Sequence, residues 1–111
     1  MGEVKMPKKF SETSFIQFVG WKEEDFLSRD RAFNAALNTY FRLHEIIKHP
    51  INMYIHVKKH NDKFGKKKYS IKVRLNSPGI FFEAKSTKWN FVSAVQDAMH
   101  TLERQTIDKL K

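Results

Sequence analysis

Eight cations crowd into residues 58–74: Lys58, Lys59, Lys63, Lys66, Lys67, Lys68, Lys72 and Arg74. Cations at this density bind polyanions, because each phosphate contact releases condensed counterions. Lys85 and Lys88 extend the series a little further along the chain. Lys58, Lys59, Lys66, Lys67, Lys68, Lys72, Arg74, Lys85 and Lys88 are therefore read as RNA-binding candidates. The competing reading is a solvated hairpin kept soluble by lysine, but solubility alone does not need one sign only.

Other chemistries find little support. The chain has no Cys, so a disulfide framework and thiolate metal sites are excluded. No nucleophile elbow occurs, and the four glycines stand too far apart to make a phosphate loop. Carboxylates are scarce where the cations lie; Asp62 and Glu83 read as charge partners for nearby lysines. The chain is expected not to be an enzyme and to need no cofactor or small-molecule substrate. His56 and His60, and His44 and His49, have spacings that tempt as metal pairs. The first pair falls on a strand and its loop, where that spacing does not converge on one ion. His44 falls on a helix face that reads as core, so a hydrogen-bonded structural histidine is expected and no metal site.

The charge is partitioned along the chain. The net of +9 divides into +1 over residues 1–49, +8 over 50–90 and 0 over 91–111. With 111 residues, 41% of them hydrophobic, the chain suffices for one domain with its own core. No apolar run approaches the roughly 18–20 residues needed to span a bilayer, and the N-terminal residues lack the apolar stretch of a secretory signal. A cytoplasmic protein with no membrane partner is the expectation.

The elements that must position these cations follow from periodicity. Residues 1–12 read as a mobile tail, and 13–111 as a single domain. A first strand is expected over 13–20, then a connection over 21–27 with three consecutive acids. Ser28 reads as the cap of a helix whose apolar face is Phe33, Leu37, Tyr40, Phe41, His44 and Ile47, ending before Pro50. Arg31, with Asn34, Asn38, Arg42 and Glu45, falls away from that face and joins the RNA-binding candidates. Residues 51–58 alternate, with Ile51, Met53, Ile55 and Val57 inward and Tyr54, His56 and Lys58 outward. Residues 60–65 read as a hairpin loop. Residues 68–75 alternate again, with Tyr69, Ile71, Val73 and Leu75 inward and Lys72 and Arg74 outward. A turn at 76–79 leads to a strand over 80–85, with Phe82 and Ala84 inward and Phe81, Glu83 and Lys85 outward. Asn90 reads as the cap of a last helix over 91–111, buried along Phe91, Val95, Ala98, Met99, Leu102, Thr106 and Leu110. The expected class is α+β, in the order β-α-β-β-β-α: one four-stranded sheet with two helices packed on one face and the other face wet.

That order and the basic strands narrow the choice among RNA-binding folds. An RNA-recognition motif needs a different order and a glycine-aromatic signature absent here. A double-stranded-RNA-binding domain opens its last helix with lysines, whereas this helix opens with Trp89, Asn90, Phe91, Val92, Ser93 and Ala94. A third set of residues fits better: the strand Ile51-Asn52-Met53-Tyr54-Ile55-His56-Val57-Lys58-Lys59, the strand 69–75, and Pro78-Gly79-Ile80-Phe81-Phe82 before a final helix. The helix opening, Asn90-Phe91-Val92-Ser93-Ala94-Val95, is similar to Asp-Met-Tyr-x-Ala-Ile. Leu102-Glu103-Arg104-Gln105 is similar to Leu-x-Arg-Gln. In these features the chain resembles the ribosome hibernation-promoting factor family, also called the ribosome-associated inhibitor or sigma-54 modulation family, in its short form.

The resemblance implies a cytoplasmic protein that docks on the small ribosomal subunit under stress. There it would lie in the channel that tRNA and mRNA use, contact ribosomal RNA through basic residues and inhibit translation. It adds Arg104, Lys109 and Lys111 in the last helix, and Arg42 and Lys48 in the first, to the RNA-binding candidates. The chain departs from the family at Thr101 and Asp108, where Lys is common, and at Val92, where Tyr is usual. Its link between first strand and first helix is longer and more acidic; the short form, without a dimerisation domain after the last helix, and a monomer are the expectation. Two other readings stay open: a general single-stranded RNA or DNA chaperone using the open sheet face, and a protein-interaction domain for acidic partners.

Overall fold

The structure, a computed structural model, describes residues 15–110. The tail expected over 1–12 and the candidate Lys111 lie outside the described residues. The elements run β1 (Phe15–Val19), α1 (Phe26–Ile47), β2 (Asn52–Asn61), β3 (Lys67–Ser77), β4 (Ile80–Lys88) and α2 (Phe91–Leu110). This is the expected order. The sheet order is β1-β2-β3-β4. β1 pairs with β2 in parallel, which requires a crossover, and α1 supplies it. β2–β3 and β3–β4 are antiparallel.

Alternation along each strand builds one apolar face. Met53 lies opposite Leu75, Ile55 opposite Val73 and Val57 opposite Ile71. Val73 in turn faces Ala84, and Leu75 faces Phe82. All but Phe82 are buried, and Phe82 packs against this core. Burying each large aliphatic chain stabilises the fold by about 1.5–3 kcal/mol. The inner face therefore supplies the buried core that holds the sheet to the helices.

α1 begins earlier than periodicity indicates. Asp25, not Ser28, is the cap: its carboxylate accepts the Ser28 N–H at 2.7 Å, and its backbone is extended (φ −69°, ψ 164°). The hydrogen bond from the Ser28 amide is the largest cause holding the Asp25 carboxyl below its ordinary range. Asp25→Ala is expected to lower the denaturation midpoint with an unchanged m-value, because the Ser28 amide loses its acceptor. The connection is also not all surface. Trp21 is buried and stacks on Phe18, with ring centroids 3.9 Å apart.

The buried stripe of α1 is Ala32, Ala36, Thr39, Tyr40, Leu43 and Ile47. Phe33 and Leu37 pack at its margin, while Phe41 is exposed. The stripe is rotated from the expected one because the alanines let the helix backbone approach its neighbours, which large residues would prevent. His44 is half-buried, its ring stacked 6.2 Å from that of Tyr40. α2 buries the expected residues plus Ala94, and leaves Leu110 exposed. Its cap is Asn90, whose Oδ1 accepts the Ser93 N–H at 2.9 Å.

Candidate nucleic-acid interface

The register assembles the outer face of the sheet row by row. His56 lies opposite Lys72, and Lys72 opposite Lys85. The next row toward the hairpin is Lys58, Ser70 and Thr87, with the two hydroxyls 3.4 Å apart. On the other side lies the row Tyr54, Arg74 and Glu83. His56, Lys58, Ser70, Lys72, Arg74, Lys85 and Thr87 line a shallow depression of about 280 Å³. Cations recur about 4.8 Å apart across strands and about 6.7 Å apart along them. Lys72 and Lys85 directly opposite one another repel, so this row costs stability instead of adding it.

Glu83 is the carboxylate that tempers this face. It accepts from Arg74 Nε at 3.3 Å and lies 3.8 Å from Lys72 Nζ. The expectation that Glu83 serves as a charge partner holds. Lys58 and Lys85 have no carboxylate partner among the described residues. The face therefore presents an anion-seeking surface in a concavity, with Phe81 exposed at its margin.

The hairpin continues this surface past the sheet. Asp62 does not act as a charge partner for the lysines. Its Oδ1 accepts the N–H groups of Phe64 and Lys66, each at 2.8 Å, and ties the loop. The carboxylate is consumed by the turn because Gly65, at φ 82°, folds the backbone amides over it. β2 runs on through Asn61, so the loop is shorter than the expected 60–65 segment. Lys66 and Lys67 are exposed, and Lys68 is half-buried. Lys88 is exposed at the end of β4.

Other candidates are placed elsewhere. Lys59 points to the inner side of β2, where its ammonium pairs with Glu23 at 2.7 Å and Glu24 at 3.4 Å. Its hydrogen bond is the main cause holding the Glu23 carboxyl below its ordinary range. Tyr69 OH joins this group by donating to Glu24 at 3.4 Å. Arg42 on α1 forms a two-pronged ion pair with Glu103 on α2. This pair sits in a groove between the helices that Arg31 also lines. Lys48 is the αL cap of α1, and Arg104 and Lys109 are exposed on α2.

The helices contribute little net charge. α1 holds three bases and two acids, and α2 two bases and three acids. The positive surplus thus lies on the opposite layer, on the sheet and hairpin. His56 and His60 share β2, and among the described residues no cluster of three His, Asp or Glu gathers. Sequence reasoning missed Trp89, which the hairpin lysines reach across from the neighbouring strand. The one local signal was an exposed-type break in the alternation just before the Asn90 cap.

No family model matches the sequence, and no curated protein matches it. Solved structures do share the fold. The crystal structure of the Thermus thermophilus Protein Y N-terminal domain aligns with a TM-score of 0.60 at 15% identity, covering 85% of this chain and 92% of that one. A ribosomal subunit interface protein from Coxiella burnetii aligns with a TM-score of 0.58 at 22% identity, covering 85% and 94%. The β-α-β-β-β-α arrangement of this chain is the fold of these proteins.

Proposed function

We propose that the chain is a non-enzymatic ribosome-binding protein of the hibernation-promoting factor family, acting in the cytoplasm. It occupies the tRNA and mRNA channel of the small subunit and inhibits translation by occupancy. The observation that carries this reading is the outer sheet face, where Lys72 and Lys85 lie directly opposite one another and, among the described residues, Lys58 and Lys85 have no carboxylate partner. The fold shared with a ribosomal subunit interface protein supports it. Among the described residues, no helix is long and apolar enough to cross a membrane.

The binding is electrostatic and reads shape. Lysines displace counterions from phosphates, so affinity falls steeply with salt. The major groove of A-form RNA is too narrow for side chains to read, so the folded cleft supplies specificity.

Sedimentation with purified ribosomes and separated subunits, at low and moderate salt, tests the reading. The protein should travel with the small subunit, and added tRNA should displace it. Changing Lys66, Lys67 and Lys68 together to Glu should release it to the top of the gradient with an unchanged melting curve. Arg104→Glu should weaken binding far less, because α2 carries no positive surplus. Co-sedimentation that the triple variant leaves intact removes the hairpin from the interface.

A second reading is a general single-stranded RNA or DNA chaperone. It is favoured by Phe81, 59% exposed beside the cations of the outer face. It predicts tight binding to free oligonucleotides that Tyr54→Ala and Phe81→Ala abolish.

A further inference from the structure

The two tryptophans have opposite surroundings. Trp21 is 2% exposed and stacks on Phe18 within the core. Trp89 is 55% exposed, between the end of β4 and the Asn90 cap of α2. Burial does not account for it, because most of its surface remains in water. Its companions are instead cations: Lys66 Nζ lies 5.8 Å and Lys68 Nζ 5.1 Å from its ring centroid. The same hairpin carries Phe64 at its tip, 87% exposed.

We propose that Trp89 is a stacking platform for an unpaired RNA base, with Lys66 and Lys68 holding the phosphates on either side of that nucleotide. This deepens the RNA-binding reading above and rests on it. An exposed cation–π contact is weaker than the stacking of a base on an indole. A base therefore displaces the ammonium groups from the ring, and they move onto the adjoining phosphates without leaving the site. A base inside a duplex has no free face to offer, so the platform selects single-stranded, bulged or flipped-out nucleotides. The outer sheet face, which lacks an equivalent exposed indole, grips backbone phosphates in either form. The protein thus meets folded RNA at two kinds of position, helical backbone on the sheet and an unstacked nucleotide at the hairpin corner.

The test uses the full chain, a short oligouridylate whose bases are unstacked, and a short RNA duplex. Saturating oligouridylate should strongly quench the tryptophan emission of the unaltered protein, whereas the duplex should not. Trp89→Phe, which leaves Trp21 as the sole indole, should lose the quenching. Trp89→Ala should weaken oligouridylate binding about tenfold, leave duplex binding unchanged and melt at the same temperature. Oligouridylate binding without quenching, or with equal affinity for Trp89→Ala, overturns the platform and leaves the RNA-binding reading standing. Failure of the unaltered protein to bind either RNA or small ribosomal subunits overturns both.

Discussion

Changing Lys58 and Lys85 together to glutamate is expected to lower affinity for small ribosomal subunits on the order of 100-fold at about 150 mM salt. Each reversal removes one phosphate contact and adds a repulsion. The slope of log affinity against log salt should fall by about 2, since each phosphate contact contributes roughly 0.9. The same change should not harm the fold. Neither lysine has a carboxylate partner among the described residues, so no ion pair is broken. A glutamate at position 85 faces Lys72 directly and turns an opposed like-charge pair into an attractive one. Such pairs contribute about 0.2–1 kcal/mol, so the variant should melt at the same temperature or slightly higher. Quantitative sedimentation and a thermal melt on one preparation check both halves. Lost binding together with a lowered melting point would mean that the lysines act in folding, which is the opposite of the site proposed.

The largest expected loss of stability comes from Gly20→Ala. Gly20 has φ +87°, a region that costs an L-residue about 1–3 kcal/mol. A Cβ at this position would also lie 2.3 Å from the carbonyl oxygen of Val57. That oxygen is backbone within β2 and cannot swing aside as a side chain does. The chain turns here from β1 toward Trp21, which must enter the core and stack on Phe18. Strain at Gly20 therefore reaches both the parallel pairing and the aromatic stack. A loss of more than about 3 kcal/mol is expected, a large share of the roughly 5–15 kcal/mol that holds a typical domain together. The control is Gly65→Ala. Gly65 has φ +82°, but a Cβ there meets nothing within 4 Å. It should cost only the backbone penalty, so equal melting points for the two variants would refute the close approach at Gly20.

The local features of the fold were readable because each is governed by neighbours in the chain. The alternation of Met53, Ile55 and Val57 marks the inner face of β2, with Ile51 continuing it just before the strand, and every one of them is buried. Asn90 before an apolar helical stripe marked the start of α2. The start of α1 is not legible in the same way, because Asp25 stands among acids that read as a surface link, whereas its carboxylate is the cap. Periodicity alone misplaces the apolar face of α1, because it weighs large residues whereas close packing there selects Ala32 and Ala36.

The sequence by itself determined that the chain is basic in its middle, that its strands are two-faced and that its outward residues are cations. It also determined the order of elements, since a period of two or of 3.6 is a property of the backbone within one element. Which cations work together was decided only by tertiary structure. Register places Lys72 opposite both His56 and Lys85. Packing turns Lys59 to Glu23 and Glu24, and joins Arg42 to Glu103 across 61 positions of chain. The hairpin brings Lys66 and Lys68 over Trp89, just past the end of β4. These pairings depend on strand register and on the contact between helices, and both arise from burial of the shared core rather than from the spacing of the charged residues themselves.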